Sequence, residues 1–204
     1  MKKGKLFVIS GPSGTGKGTI CSGILKKIDD VELSVSMTTR EPRQGEIDKK
    51  DYYFVTEEKF EEIRLSDGFL ESADVYGHHY GTPRENVLKQ LERGINVILE
   101  IDTQGALNVK KSYPEAVLIF VLPPSLEELK RRIKKRATDS DEAISKRMKE
   151  ARKEISCIDK YNYFVVNDDL TFAIERVESI IDSEKSRVDN QITEYIKKYE
   201  EESK

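Results

Sequence analysis

Residues that could bind phosphate stand near the start of the chain, in the segment GPSGTGKGT at 11–19. Gly11, Gly16 and Lys17 match the pattern G-x-x-x-x-G-K, between the apolar segment LFVI and a helical pattern that begins at Ile20. In such a loop the glycines let backbone N–H groups surround an anion, the helix start adds partial positive charge, and the lysine reaches the β and γ phosphates of a nucleotide. We therefore predict a nucleotide phosphate loop rather than a glycine-rich turn without a ligand.

The first hydroxyl after the lysine stands one position later than the usual pattern places it. Gly18 follows Lys17 directly, and Thr19 carries the hydroxyl. We therefore do not expect this hydroxyl to bind Mg²⁺ directly. Because Mg²⁺ dehydrates reluctantly, we expect the Mg²⁺ that accompanies the nucleotide to be held by nucleotide oxygens and water, with no direct side-chain ligand.

A phosphate loop alone fits GTPases, ATPases and kinases. The segment DTQG at 102–105 matches the D-x-x-G pattern of a GTPase switch, but it lies far downstream of the loop. The chain also has no N-K-x-D segment of the kind that recognises guanine in GTPases. The remaining segments must therefore decide between these classes.

A second group of residues could bind another phosphate. Arg40 and Arg43 stand three positions apart across a proline, and Tyr52 follows in the same irregular segment. Arginine forks bond phosphate oxygens bidentately, so two guanidinium groups and a phenol suit a phosphate ligand. For arginine pairs in loops generally, a solvated surface is the more common role, and the pair alone leaves both interpretations open.

Apolar segments indicate the elements that position these residues. Four continuous segments, LFVI, NVILEI, VLIFVL and YFVV, are typical of strands covered on both faces, and helical patterns lie between them. With 204 residues and 37% hydrophobic content, the chain is long for one domain and short for two. We predict an α/β fold in which a parallel-sheet P-loop core carries helices on both faces.

Two segments do not fit this core and predict inserted subdomains. Residues 34–85 are polar and rich in tyrosine and turn signals, which predicts a small mixed sheet with a helix near Glu57 to Leu65. Residues 126–150 predict a charged helical hairpin that is broken at ATDSD. The core would then comprise residues 1–33, 86–125 and 151–204.

Composition and residue usage argue against several classes of protein. The 35 basic and 38 acidic residues give a net charge of −3, so the chain has no net attraction for nucleic acid or an anionic membrane. No apolar segment approaches the roughly 20 residues of a membrane span and no signal-peptide pattern precedes the loop, so we expect a soluble, cytoplasmic protein.

His78 and His79 are the only histidines, which argues against a catalytic triad, and we expect both to be structural. Cys21 and Cys157 lie far apart, and we expect reduced thiols in helices.

Ordered matches over nearly the whole chain resemble guanylate kinases. The segments GPSGTGKGT, SVSMTTREPRQGE with DYYF, FLESADVYGHHYGT, VILEIDTQGA, FVLPPS and VNDDL follow one another in the order of that family. The resemblance implies an enzyme that transfers the γ-phosphoryl of ATP to GMP, with Mg²⁺, as a step in GTP and dGTP supply and in GMP recycling. It also implies that 34–85 binds GMP and that 126–150 is a lid.

The resemblance assigns the residues of the GMP site. Those expected to hold the GMP phosphate are Ser36, Arg40, Arg43, Tyr52 and Tyr80, and those expected to recognise guanine are Glu71, Thr82 and Asp102. A carboxylate can accept from the N1–H and the amino group of guanine, and adenine has no matching pair of donors. For Glu71 alone, an exposed carboxylate at a helix end is the alternative. Glu100 and Asp102 end a buried segment, where ligands bind in open α/β sheets. Thr103 stands where many family members carry a bulky aromatic residue, so we expect looser packing near the base.

The resemblance also assigns the ATP site and the lid. Residues expected to bind ATP are Gly11, Pro12, Ser13, Gly14, Thr15, Gly16, Lys17, Gly18, Thr19 and Asn167. Arg132 and Arg136 are four positions apart, so they would share one helix face, and Arg147 would return from the next helix. In the resemblance these arginines and Lys17 are catalytic and neutralise phosphate charge, and a nucleic-acid patch is the alternative. For Asn167, an N-cap by it or by Asp168 is an equally good interpretation.

Other functions and an oligomer remain open from the sequence. One alternative is a guanylate-kinase-like interaction module without catalysis, although the ATP-site residues are all present. A second is a kinase for another nucleoside monophosphate, which would differ only in the base pocket. We expect an apolar stripe near the end of the chain to pack on the protein's own core, with a homodimer left open. The stripe comprises Val188, Ile192, Tyr195, Ile196 and Tyr199.

Overall fold

The computed structural model describes residues 3–75, 77–136, 141–188 and 192–202, with the side chains of Val75, Arg136, Asp141, Glu194 and Tyr195 excepted. Its strands are β1 (Leu6–Ser10), β2 (Val31–Leu33), β3 (Met37–Thr38), β4 (Tyr53–Phe54), β5 (Phe69–Val75), β6 (His78–Pro83), β7 (Asn96–Glu100), β8 (Val117–Leu122) and β9 (Tyr163–Val166). Its helices are α1 (Lys17–Leu25), α2 (Glu57–Leu65), α3 (Arg84–Glu92), α4 (Thr103–Ser112), α5 (Leu126–Arg136), α6 (Asp141–Ile155), α7 (Leu170–Lys185) and α8 (Ile192–Glu202). A short 3-10 helix spans Ile158–Lys160.

The core is a parallel sheet of five strands in the order β2-β7-β1-β8-β9. Alternate residues of β1 point to opposite faces, and both sets are buried: Phe7 and Ile9 pack with α1 and α7, whereas Leu6 and Val8 pack with α3 and α4. Burial on both faces requires apolar residues at every position, which is why the four strands were predicted as continuous apolar segments. The predicted α/β fold is confirmed, and the division of the chain into domains stays a prediction.

A second, smaller sheet lies within residues 34–85. Its order is β4-β3-β6-β5, with β3 parallel to β4 and antiparallel to β6. The predicted helix at Glu57 to Leu65 is present as α2, and the Thr56 hydroxyl caps it by accepting from the Lys59 N–H at 3.3 Å. The inserted mixed sheet is therefore confirmed as part of the fold.

The helices α5 and α6 form the predicted charged hairpin. They share a small apolar core of Leu129, Ile133, Ile144 and Ala151. The predicted break at ATDSD spans residues 137–141, of which 137–140 lie outside the described residues. The helix α6 begins at Asp141 and continues past residue 150 to Ile155.

Two sequence expectations are corrected here. Cys21 is buried in α1 as expected, but Cys157 lies in the turn after α6, where its backbone N–H bonds the Glu154 carbonyl; both thiols are free. The described side chains of the C-terminal stripe are exposed rather than packed on the core, because α1 and α7 already cover that face of the sheet. The exposed members are Val188, Ile192, Ile196 and Tyr199, and the Tyr195 side chain lies outside the described residues. Among the helices in the described ranges, none is long and apolar enough to cross a membrane.

Candidate active site

The phosphate loop connects the carboxyl end of β1 to the start of α1. Gly14 and Gly16 have φ values of +92° and +93°, in the left-handed region where only glycine is unstrained. Gly16 is also the N-cap residue of α1, and no described side chain caps the helix. The first turn of α1 therefore keeps backbone donors and partial positive charge available for an anion.

Lys17 lies folded against its own loop. Its Nζ donates to the Gly11 carbonyl at 2.6 Å and to the Pro12 carbonyl at 3.2 Å. Burial lowers the pKa of the Lys17 ammonium, an effect that nearby Glu100 and Glu154 oppose. The ammonium is thus held at the loop by carbonyl dipoles that phosphate oxygens could replace.

The Glu100 carboxylate lies beside Gly18, the position at which the loop departs from the usual pattern. A Cβ atom on Gly18 would lie 3.3 Å from both carboxylate oxygens of Glu100, tighter than an ordinary van der Waals contact. Glu100 ends β7, and its carboxylate therefore lies beside the first turn of α1. A side chain at position 18 would have to share that space.

Asn167 contacts the loop directly. Its Nδ2 donates to the Thr15 carbonyl at 2.7 Å, and the residue is only 6% exposed. The N-cap interpretation of Asn167 or Asp168 is wrong, because Asp169 caps α7 by accepting from the N–H groups of Thr171 and Phe172 at 2.8 and 3.1 Å.

The helix α5 packs against the loop and brings one predicted arginine to it. Arg132 donates from Nε to Glu128 at 2.8 Å and from Nη2 to the Asn167 carbonyl at 3.0 Å. Arg147 is half-buried on α6. The side chain of Arg136 lies outside the described residues, so its position relative to Arg132 stays a prediction.

Glu71, Thr82 and Asp102, the residues expected to recognise guanine, lie together. The Thr82 hydroxyl donates to Glu71 Oε1 at 2.7 Å, and Asp102 accepts from the Gly105 N–H at 2.9 Å at the start of α4. Burial raises the pKa of Glu71 to about 7; the Asp102 charge also raises it, and the Thr82 hydrogen bond opposes the increase. Glu71 is a buried strand residue, so the interpretation as an exposed helix-end carboxylate is wrong.

Two of the predicted acceptor-phosphate residues, Tyr80 and Tyr52, contact Arg40. Its Nε donates to the Tyr80 hydroxyl at 3.2 Å, and its guanidinium carbon lies 5.5 Å from the centre of the Tyr52 ring. Ser36 is half-buried and Arg43 is exposed. The structure adds a residue that the sequence interpretation missed: Glu46 accepts from Arg40 Nη2 at 2.9 Å and from the Arg43 N–H at 2.7 Å. Its place three positions after Arg43, within the matched segment, was the available signal.

A second missed residue is Glu154. This half-buried carboxylate on α6 accepts from the Thr103 hydroxyl at 3.4 Å. Burial raises the pKa of Glu154, and the nearby Lys17 charge opposes that increase. Glu154 is seven positions after Arg147, so both share one face of α6, and that spacing was the only sequence signal.

The histidines lie in the second sheet, on the strand β6 that also carries Tyr80 and Thr82. His79 stacks on Phe60 with ring centres 5.4 Å apart, and its Nδ1 pairs with Asp74. His78 pairs with Val75 in the β5–β6 ladder. Both contacts agree with the structural role expected for the pair.

Comparisons with known proteins give one consistent result. The family described as Guanylate kinase matches residues 3–184. A guanylate kinase of Caldanaerobacter subterraneus subsp. tengcongensis is 56% identical over 200 residues, covering 98% of this chain and 97% of that protein. A guanylate kinase of Clostridium tetani is 55% identical, covering 93% and 90%. The crystal structure of guanylate kinase from Anaplasma phagocytophilum has a TM-score of 0.74 at 34% identity, covering 92% and 89%.

Proposed function

The chain belongs to the guanylate kinase family, and from that premise we propose how its residues transfer the γ-phosphoryl of ATP to GMP. The reaction is ATP + GMP → ADP + GDP, by direct in-line transfer without a covalent enzyme intermediate. Phosphoryl transfer depends mainly on positioning and charge neutralisation, so the assignment of roles follows from where donors and charges lie. The observation that carries the acceptor assignment is the buried Glu71–Thr82 pair beside Asp102.

The loop 11–19 and Lys17 bind the ATP phosphates in this proposal. Phosphate oxygens replace the Gly11 and Pro12 carbonyls as acceptors of the Lys17 ammonium, which already points into the loop. The exchange replaces partial charges with full charges, so the same donors bind more strongly. Because the ammonium is partly buried, water screens its attraction for the transferring phosphoryl less than at the surface.

The insert 34–85 binds GMP in this proposal. Ionised Glu71 accepts from the N1–H and amino group of guanine, and Thr82 and Asp102 complete the recognition of the base. The GMP phosphate bonds Arg40 and the other acceptor-site residues. For that to happen Arg40 must exchange its pairing with Glu46 for the phosphate, which makes Glu46 part of the site.

The lid in our proposal is the hairpin at 126–150, which closes over ATP. Arg132, Arg136 and Arg147 then neutralise the charge that develops during transfer, and closure of the lid and the GMP insert on the remaining core excludes water. The packing of Leu129 and Ile133 beside Gly14 supports this role, because it places the lid base at the phosphate loop.

The proposal assigns Mg²⁺ to the ATP phosphates. The Glu100 carboxylate lies beside Gly18, where it can accept hydrogen bonds from water bound to the ion, and this donor set suits a cation that keeps its water. When bound, the ion would supply charge neutralisation to the ATP phosphates.

The proposal also covers the location, the partners and the oligomeric state of the enzyme. We place it in the cytoplasm, without nucleic-acid or membrane partners; two free thiols and a net charge of −3 support that placement. We propose a homodimer formed through the exposed apolar stripe of α8.

A coupled assay of ADP formation with GMP, AMP, UMP and dTMP as acceptors tests the proposed function. We expect turnover with GMP and little with the other three. Equal turnover with AMP or a pyrimidine nucleotide would contradict the acceptor-site assignment. Absence of turnover with all four would favour an interaction module instead.

A further inference from the structure

We propose that Asn167 is a positioning residue of the phosphate loop, whose side-chain amide holds the loop in the conformation that binds polyphosphate, independently of the base. The proposal rests on the assignment of loop 11–19 to the ATP phosphates and deepens it. The resemblance places Asn167 among the ATP-binding residues, and the proposal gives it a role in the geometry of the loop rather than a contact with the base.

The contact between Asn167 and the loop is short and buried, and the direction of its hydrogen bond is fixed. Asn167 Nδ2 donates to the Thr15 carbonyl at 2.7 Å, and Asn167 is 6% exposed. Since a carbonyl only accepts, the amide NH₂ must face the loop, and one of its two N–H donors is committed before any base arrives. Thr15 is fully buried, and its hydroxyl donates to the Pro12 carbonyl at 2.9 Å. Thr15 is therefore held at both its side chain and its carbonyl.

The loop needs such an anchor because glycines flank the anchored residue. Gly14 and Gly16 both have positive φ values, and glycine has the most backbone freedom to lose. In a trans peptide the carbonyl of one residue and the N–H of the next point in opposite directions. Holding the Thr15 carbonyl at Asn167 therefore aims the Gly16 N–H away from Asn167. The proposal places the phosphates on the side of the loop to which the Gly16 N–H points.

Asn167 is itself held by three parts of the fold. It follows β9, its backbone N–H donates to the Leu122 carbonyl at 2.8 Å, and its carbonyl accepts from Arg132 Nη2 at 3.0 Å. The anchor is thus joined to the core sheet and to the lid helix α5. Any movement of Asn167 would reach both the loop and the lid arginine.

The test separates the phosphates from the base. Asn167→Asp keeps the size of the side chain but places an oxygen against the Thr15 carbonyl. We expect the inhibition constant of tripolyphosphate, measured in competition with ATP, to rise about tenfold or more, because a buried hydrogen bond becomes a repulsion. The inhibition constant of adenosine should stay within about twofold of the parent value, since its binding does not use the loop N–H groups.

A milder variant and a control keep the result interpretable. Asn167→Ala removes the donor without adding charge. It should also raise the inhibition constant of tripolyphosphate, but by a smaller factor. Asp168→Asn changes the exposed neighbour and should leave both constants unchanged. Hydrogen–deuterium exchange of the loop amides provides a readout independent of activity, and we expect faster exchange at 14–18 in both Asn167 variants with no change in β8.

The outcomes are distinct. Weaker tripolyphosphate binding with unchanged adenosine binding supports the positioning role. Weaker adenosine binding, or unchanged tripolyphosphate binding in a folded Asn167→Ala variant, overturns it. If tripolyphosphate does not compete with ATP on the parent enzyme, the phosphate-loop assignment fails, and the role of Asn167 fails with it.

Discussion

Replacing Glu71 by glutamine should lower the discrimination for guanine and abolish its dependence on pH. Glu71 is 8% exposed, and burial raises its pKa to about 7. Only the ionised carboxylate can accept from both the N1–H and the amino group of guanine. Glu71→Gln keeps the size of the side chain but turns one acceptor into a donor that faces a donor. A bidentate pair is worth about 1–3 kcal/mol, so GMP-to-AMP discrimination should fall roughly ten- to a hundredfold.

The pH dependence follows from the same carboxylate. With a pKa of about 7, its ionised fraction rises from roughly one tenth at pH 6 to roughly nine tenths at pH 8. Discrimination by the parent enzyme should therefore rise about tenfold over this interval, whereas Glu71→Gln should show a low, flat ratio. The measurement is the ratio of kcat/KM for GMP to that for AMP at pH 6, 7 and 8. Because both acceptors carry the same phosphate, its own titration cancels in the ratio.

Two results would refute this reasoning. A parent ratio that does not change between pH 6 and 8 would mean that Glu71 does not titrate in the acceptor site. A Glu71→Gln ratio equal to that of the parent would assign recognition of guanine to Thr82 and Asp102 alone. Glu62 is an exposed carboxylate of α2 in the same insert. The variant Glu62→Gln is therefore the matched control and should behave like the parent. The KM for ATP should barely change in either variant.

Three other predictions concern the loop, the lid and stability. Lys17→Met should lower turnover at least about a hundredfold with an unchanged melting temperature, because a positioned cation on the transferring phosphoryl is lost; near-parental rates in a folded variant would contradict its role. Arg132→Ala and Arg136→Ala should each lower kcat with little change in the KM for GMP, and steady-state kinetics showing only a raised KM would argue against the lid assignment. Between pH 4.5 and 7 folded Glu71 holds a proton that the unfolded chain has lost, so the free energy of unfolding should fall by about 3 kcal/mol as pH rises through this interval. Urea denaturation should show this fall in the parent and not in Glu71→Gln.

The core strands were predictable because burial on both faces of the sheet restricts every residue of such a strand. All five residues of β1 are buried, so the sequence had to be apolar or small throughout. The strand β2 was missed because only Val31 of its three residues is buried, which leaves no apolar segment to detect. The inserted sheet was recognised by turn signals and tyrosines, not by periodicity, since β3 and β4 have two residues each.

The acceptor-site cluster was predicted from matched segments, and the contacts that complete the site were not. Asn167 and Thr15 are 152 positions apart, and no local pattern in either segment indicates that they meet. Glu154 and Thr103 are 51 positions apart and meet only because α6 returns to the start of α4. Such contacts depend on tertiary packing, whereas capping and phosphate-loop patterns depend on neighbouring residues. A single sequence therefore indicates such local patterns better than contacts between distant segments.

The pairing of Arg40 with Glu46 has a consequence for which anions can enter the acceptor site. The carboxylate already lies 2.9 Å from the guanidinium, so an incoming ion must displace a tethered competitor. If Arg40 binds the GMP phosphate as proposed, chloride or a free carboxylate brings the guanidinium no more negative charge than Glu46 already supplies. A doubly charged phosphate brings more. On that proposal, the pair would favour a doubly charged phosphate over a monovalent anion at this site.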